Sequence, residues 1–405
     1  MARSGAAQPS LGGARIDARV KQTVALGYTQ TVAWAASTYL PAILAVPMAT
    51  DLGVSPATVF GAFSASLVVM ALAGPPVGRA IDRRGGRGLL AISNAVLAAG
   101  LALLAAAHGP ALLFGAWGVL GLGMALGLYD AAFATLVRLH GADARLPITG
   151  VTLIAGFAST IGWPLTAFLA AHGGWRMACL AWAAILVLTA LPVNLLCLPA
   201  AAASAESPPP APSSKEVRPP RAAMPLLIAF AAATSFVTSA MAAHLPGLLV
   251  AMGATSIAAV GAAALLGPAQ VLARIVEIAA ARRYRLHPLV PARIATALHP
   301  LAGATLAVFG GAAAPAAAYA VLHGAGNGLI TIVRGTLPLA LFGQAGYGHR
   351  QGVIAVLARA MQAAAPFSYA WVLYNVGPRA AIALTAALSL AALAALLALR
   401  PSADS

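Results

Sequence analysis

Gly78-Arg79-Ala80-Ile81-Asp82-Arg83-Arg84-Gly85-Gly86-Arg87-Gly88 is the densest charge cluster of the chain, and long apolar runs flank it on both sides. Its glycines permit a tight reversal, Asp82 is its one anion, and its four arginines suit a loop held at one face of a bilayer. The rest of the chain agrees. Of 405 residues, 61% are hydrophobic and 8% charged, with a mean hydropathy of +0.88. Soluble domains carry about a quarter charged residues, so a water-soluble fold is excluded. The formal net charge of +15 then reads as topology-setting cations beside a membrane, and not as a nucleic-acid surface.

A spanning helix needs about 20 mostly apolar residues. That window predicts twelve, at 23–47, 56–77, 89–107, 110–137, 147–171, 175–198, 223–248, 255–277, 290–310, 314–340, 351–375 and 379–399. Residues 1–22 read as a cytoplasmic tail without a cleavable signal, and 400–405 as a second tail. Residues 199–222, rich in Pro, Ala and Ser, cannot bury apolar surface and read as a flexible linker. The expected fold is an all-α integral membrane protein with six-helix bundles at 23–198 and 223–399. With the N-terminus inside, 19 of the 24 basic residues fall in cytoplasmic segments and 2 in outer loops, a strong positive-inside signal. Both termini are therefore expected in the cytoplasm, in a bacterial inner membrane.

The halves echo each other. Gly150-Val151 with Pro164 recurs 202 residues later as Gly352-Val353 with Pro366. Gly78-Arg79-Ala80-Ile81-Asp82 has a degenerate counterpart in Ala273-Arg274-Ile275-Val276-Glu277, and Arg176 and Arg379 open the last helix of each half. Six helices followed by six in the same orientation is the parallel-repeat arrangement of secondary transporters, with the binding site between halves near the midplane.

Gly78, Asp82, Arg83, Gly85 and Arg87 match the pattern Gly-x-x-x-Asp-Arg-x-Gly-x-Arg, and on this loop, the twelve spans and the linker the chain resembles the major facilitator superfamily. The resemblance implies a transporter cycling between outward- and inward-open states. It also implies that Asp82 latches onto the start of the eleventh helix near Arg350, where a helix N-terminus favours an anion. By the repeat, Glu277 with Arg274 forms a second latch, toward Arg145 or Arg138. The glycine- and proline-rich ending of drug antiporters is missing after Gly162, Trp163 and Pro164, which weighs against multidrug export.

Ionisable groups inside a membrane are costly and are functional candidates by default. Asp130, Arg334 and Arg359 each lie eight or nine residues from a cytoplasmic helix end, ~12–14 Å into the bilayer, and so share a layer. One reading has Arg334, with Arg359 beside it, binding an anion through paired hydrogen bonds, and Asp130 carrying a proton or acting as counter-ion. The other is a structural Asp130–Arg334 ion pair. His323 and Asn327 share the Arg334 face of helix ten, and Gln362 that of Arg359 on helix eleven. Tyr28 and Trp34 on helix one and Trp163 on helix five are further candidates for the cavity. The stripe Thr152, Gly156, Ser159, Trp163 and Thr166 also suits helix packing, as do Gly123 and Gly127. His244 could titrate near neutral pH, and Pro164 and Pro366 are expected to kink their helices.

No phosphate-binding loop or cluster at metal-ligand spacing is present, so no cofactor, metal or nucleotide is expected. The expectation is a monomeric permease, not an enzyme, driven by protons and moving a small organic or inorganic anion. The alternatives are proton-coupled efflux of a drug or metalloid, and a transport-dead membrane sensor or scaffold.

Overall fold

The computed structural model describes residues 11–140, 144–200, 222–284, 286–342 and 347–399. Most of the linker, the first ten residues, 400–405 and the side chain of Arg145 lie outside the described residues.

All described regular structure is helical. Pass one is α1 (Leu11–Ala36) with α2 (Pro41–Leu52), pass two α3 (Pro56–Arg84) and pass three α4 (Arg87–Ala105). Pass four joins α5 (Pro110–Gly127) to α6 (Tyr129–His140), and pass five joins α7 (Arg145–Ala155) to the first half of α8 (Ala158–Ile185). Pass six continues from α8 through a π turn at Leu186–Ala190 into α9 (Leu191–Cys197). Pass seven is α10 (Ala223–Ala251), pass eight α11 (Ser256–Ala264) with α12 (Leu266–Tyr284), and pass nine α13 (Leu289–Phe309). Passes ten to twelve are α14 (Ala313–Phe342), α15 (Tyr347–Asn375) and α16 (Pro378–Ala398).

Eleven described helical stretches are long and apolar enough to cross a membrane. One of them, Leu146–Cys197, has 52 residues, or ~78 Å of helix at 1.5 Å per residue, against a core of ~30 Å. It turns back at Gly174, whose φ of 76° is natural only for glycine. Dividing it there gives twelve passes. Proline opens α3, α5 and α16, where its missing N–H costs nothing. Ser55 and Thr255 cap α3 and α11 by accepting from Thr58 N and Ala258 N, each at 3.2 Å.

The helices pack in two matching sets. In the first half, pass one lies on five, two on four, and three on four and six; in the second, seven lies on eleven, eight on ten, and nine on ten and twelve. Every pairing recurs six passes later. The halves meet where pass two crosses eleven, five crosses eight, and α2 touches α10. At the crossing of five and eight, a Cβ on Gly267 would lie 2.7 Å from the Gly156 carbonyl oxygen. Pass five is interrupted here, at Gly156–Phe157, whereas the sequence predicts its bend at Pro164, which lies inside α8.

The Gly78–Gly88 stretch is mostly helix, not loop. Pass two runs on to Arg84 and pass three starts at Arg87, leaving Gly85 and Gly86 to turn the chain, and Gly85 takes a positive φ of 80°. Arg138 donates to the Asp82 carbonyl, one of the last four of α3, which lack helical partners. The first helix likewise starts at Leu11, inside the stretch predicted as a tail.

One end of the molecule is plugged. Phe60 packs its ring on His244 at 3.9 Å, and His244 Nε2 contacts the Pro366 carbonyl at 2.9 Å. Leu40, Leu44, Met48, Leu245 and Tyr369 are fully buried around them. His244 is thus a packed plug residue.

Candidate functional site

Below the plug a cavity opens between the halves toward the face where α1 starts and α16 ends. It has two lobes, of about 280 Å³ and about 210 Å³. Both are lined by Trp34, Tyr129, Ser235, Arg334 and Gln362, so they are one continuous space. Asp130 and Arg359 belong to the outer lobe, and Arg274, His323 and Asn327 to the lobe under the plug.

The first-half wall is aromatic. Trp34 on α1 packs against Tyr129 on α6 at 5.0 Å and against Tyr39 at 6.2 Å. Tyr39 in turn meets Trp163 edge-on at 5.3 Å, and Tyr129 stacks on Phe133 at 4.9 Å. Faces of Trp and Tyr rings carry negative quadrupole potential and offer flat apolar area to a ligand.

The second-half wall is cationic and rich in hydrogen-bonding groups. Arg274 on α12 is only 4% exposed. It donates to the Thr152 carbonyl on α7 at 2.6 Å, to Thr331 Oγ1 at 3.2 Å, and to the Gly328 carbonyl and Gln270 Oε1 at 3.4 Å each. All four acceptors are neutral. A buried charge is ordinarily paired with an opposite one, and among the described residues no carboxylate meets this guanidinium. Arg334, half-buried on α14, donates to Thr234 Oγ1 at 3.4 Å. Asn327 accepts from Thr238 Oγ1 at 3.0 Å.

Asp130 pairs across the halves with Arg359, Nη2 to Oδ2, at 2.9 Å. The Asp130–Arg334 pair considered from the sequence is therefore corrected to Asp130–Arg359. With side-chain exposures of 71% and 39%, this pair is wet, and screening makes its stabilisation small.

Three further expectations change. Arg274, assigned by the repeat to a latch, stands ten residues above the α12 end at Tyr284, ~15 Å deep, and lines the cavity. Tyr28 turns away from the cavity. It donates to Thr189 Oγ1 at 2.6 Å and borders a separate groove with Phe157 and Trp182. Trp163 is fully buried and donates to the Tyr39 carbonyl at 3.2 Å, so it closes the plug and lines neither lobe. Trp34, Arg334, Arg359, Asn327, His323 and Gln362 do gather at the cavity. Tyr39, Tyr129 and Gln270 were missed, although Tyr129 adjoins Asp130 in sequence. Among the described residues no His/Cys/Asp/Glu group could hold a metal.

The sequence profile of the Major Facilitator Superfamily matches residues 28–366, most of the chain and all the cavity-lining residues named. The chain belongs to the Major Facilitator Superfamily. Membership makes it a multi-pass membrane transporter and not an enzyme. Solved structures of the same superfamily fold lie close to it. A crystal structure of a point mutant of the nucleoside transporter NupG superposes with a TM-score of 0.74 at 13% identity, covering 94% of this chain and 99% of that one. A bacterial homologue of the human lysosomal transporter Spinster, in an inward-facing and occupied conformation, gives 0.64 at 16% identity, covering 93% of each. An uncharacterised 38 kDa protein in the 23S RNA operon of Thermoproteus tenax is 35% identical over 134 residues. That match spans 33% of this chain and 35% of the relative, about a third of its length.

Proposed function

We propose that this superfamily member moves a small organic anion by alternating access, with protons as the coupling ion. The observation that carries the reading is Arg274, a buried cation at the cavity with neutral oxygens as its acceptors. An anionic substrate supplies the missing countercharge. Arg334 adds a second guanidinium, and its planar fork suits a carboxylate. The aromatic wall favours an organic anion with a flat apolar part over an inorganic one.

The metalloid version of efflux would need thiolates at the cavity. Cys179 is buried in the first-half core and Cys197 half-buried at the end of α9, and neither lines a lobe. The distribution of basic residues supports cytoplasmic termini in a bacterial inner membrane, which makes the open face the cytoplasmic one. In this inward-open state Asp82 offers its carbonyl to Arg138, while Arg350 donates to the Phe342 carbonyl at 3.2 Å. The Asp82–Arg350 latch belongs to the outward-open state, when the cytoplasmic ends come together.

Proteoliposomes holding the purified protein test the reading. With an imposed proton gradient they should accumulate at least one aromatic or aliphatic carboxylate and ignore its neutral amide. Uptake of neutral solutes or cations alone would overturn it.

A further inference from the structure

We propose that the buried pair His299–His323, between α13 and α14, is the site that takes up the coupled proton, and that it fills when an anion occupies the neighbouring arginines. This rests on the anion reading above. The two imidazoles meet Nδ1 to Nδ1 at 2.9 Å, edge to face with centroids 4.5 Å apart. Such a contact needs a proton on one Nδ1 and a lone pair on the other. When His323 is the donor, its own Nε2 is bare. His323 lines the cavity, so that nitrogen is where a proton from the cavity binds. An N–H bond forms there, the pair becomes a cation sharing the central proton, and release reverses the step.

Three observations separate this pair from ordinary packing. First, His299 Nε2 is buried without a hydrogen-bond partner among the described residues, which leaves the pair with an unmet polar atom. Second, the second half has no other suitable acid. Between residues 222 and 399 its one carboxylate is Glu277, which lines neither lobe. Third, Asp130 is already engaged by Arg359, so the carboxylate read from the sequence as the proton carrier has a different partner.

The surroundings set the coupling. Tyr319 stacks on His323 at 5.7 Å and gives its hydroxyl to Met241 Sδ at 2.9 Å. Arg274 on α12 and Arg334 on α14 line the same lobe as His323. From α10 comes His244, from α15 Tyr369, Arg359 and Arg350; α11 carries no titratable residue, and α16 only Arg379 in its first turn. On α13 the remaining cation is Arg293, bound to the Leu396 and Leu399 carbonyls. Arg274 and Arg334 put a positive field on the lobe that His323 lines. A bound anion offsets that field and lets the proton on. Anion and proton then travel together, which is symport.

The test measures protons taken up per anion in proteoliposomes, using an internal pH dye with radiolabelled benzoate as the first probe anion. Anion exchange at equal pH on both sides is measured in parallel. His299→Gln comes first, because His299 lines neither lobe. The expected result is exchange within about threefold of wild type and a proton-to-anion ratio at least tenfold lower. The ratio does not depend on how much protein folds, and His323→Gln must lower it likewise. A wild-type ratio in either variant overturns the proposal, as does a ratio abolished by Asp130→Asn alone. Wild-type protein that moves no anion overturns the anion reading itself, whereas wild-type protein that moves anions without protons overturns proton coupling and the histidine site and leaves the anion reading standing.

Discussion

The two walls of the cavity come from repeats that pack alike yet differ in chemistry. On α1, the turn after it and α6 the wall is Trp34, Tyr39 and Tyr129, with Asp130 at its outer edge. On α12, α14 and α15 it is Arg274, Arg334 and Arg359 with amide, hydroxyl and imidazole groups between them. Matching helix pairings make a symmetric hinge, while the lining has one aromatic side and one cationic side. On the proposed reading the frame serves the conformational cycle and the lining serves selection, so the two can be perturbed separately.

Removing the cationic wall should have the largest effect. Arg334→Ala deletes charge-assisted hydrogen bonds worth roughly 1.5–3 kcal/mol each, so anion uptake should fall about 100-fold or more. Arg334→Lys should recover only part of it, because an ammonium lacks the planar fork; uptake kinetics at several concentrations check both. Wearing down the aromatic wall should cost less. Trp34→Ala should raise KM about 5- to 10-fold, in line with the ~0.5–1.5 kcal/mol of an aromatic contact beyond its area, and Trp34→Phe should stay near wild type. The frame should respond differently from either wall. Asp82→Asn should slow turnover severalfold while equilibrium binding of the anion, read by calorimetry, is unchanged; lost binding at normal protein levels would count against the latch. The smallest effect belongs to Tyr28→Phe, on the far side of α1, where uptake should stay within twofold. A larger loss there would extend the site beyond the cavity.

The frame was readable because spanning helices announce themselves by length and apolarity, and because Gly78–Gly88 carries a specific pattern. Its limits were less readable, since helices run past the membrane and the apolar window ends where arginines begin. That is why Arg79, Arg83 and Arg84 sit on α3 and not in a loop. At the site, counting residues from the helix ends placed Asp130, Arg334 and Arg359 at one depth. The same arithmetic applies to Arg274, which the short echo of the first-half motif diverted to a latch. Facing is harder to infer than depth. Tyr28 and Trp34 lie six residues apart, about 120° around α1, so they could not share a face, but the sequence did not say which of them meets the cavity. Partners across the halves, such as Arg359 for Asp130, depend on the conformational state and leave no trace in spacing. The His299–His323 contact was invisible for a related reason, as it joins two separate helices.

The most direct test of the account is calorimetric binding of an aromatic carboxylate and its neutral amide to the purified wild-type protein and to Arg334→Ala. The account predicts that the carboxylate binds wild type at least 30-fold more tightly than the amide, and that this preference largely disappears in the variant. Equal binding of the two compounds to wild type, or a preference that survives loss of Arg334, would contradict it.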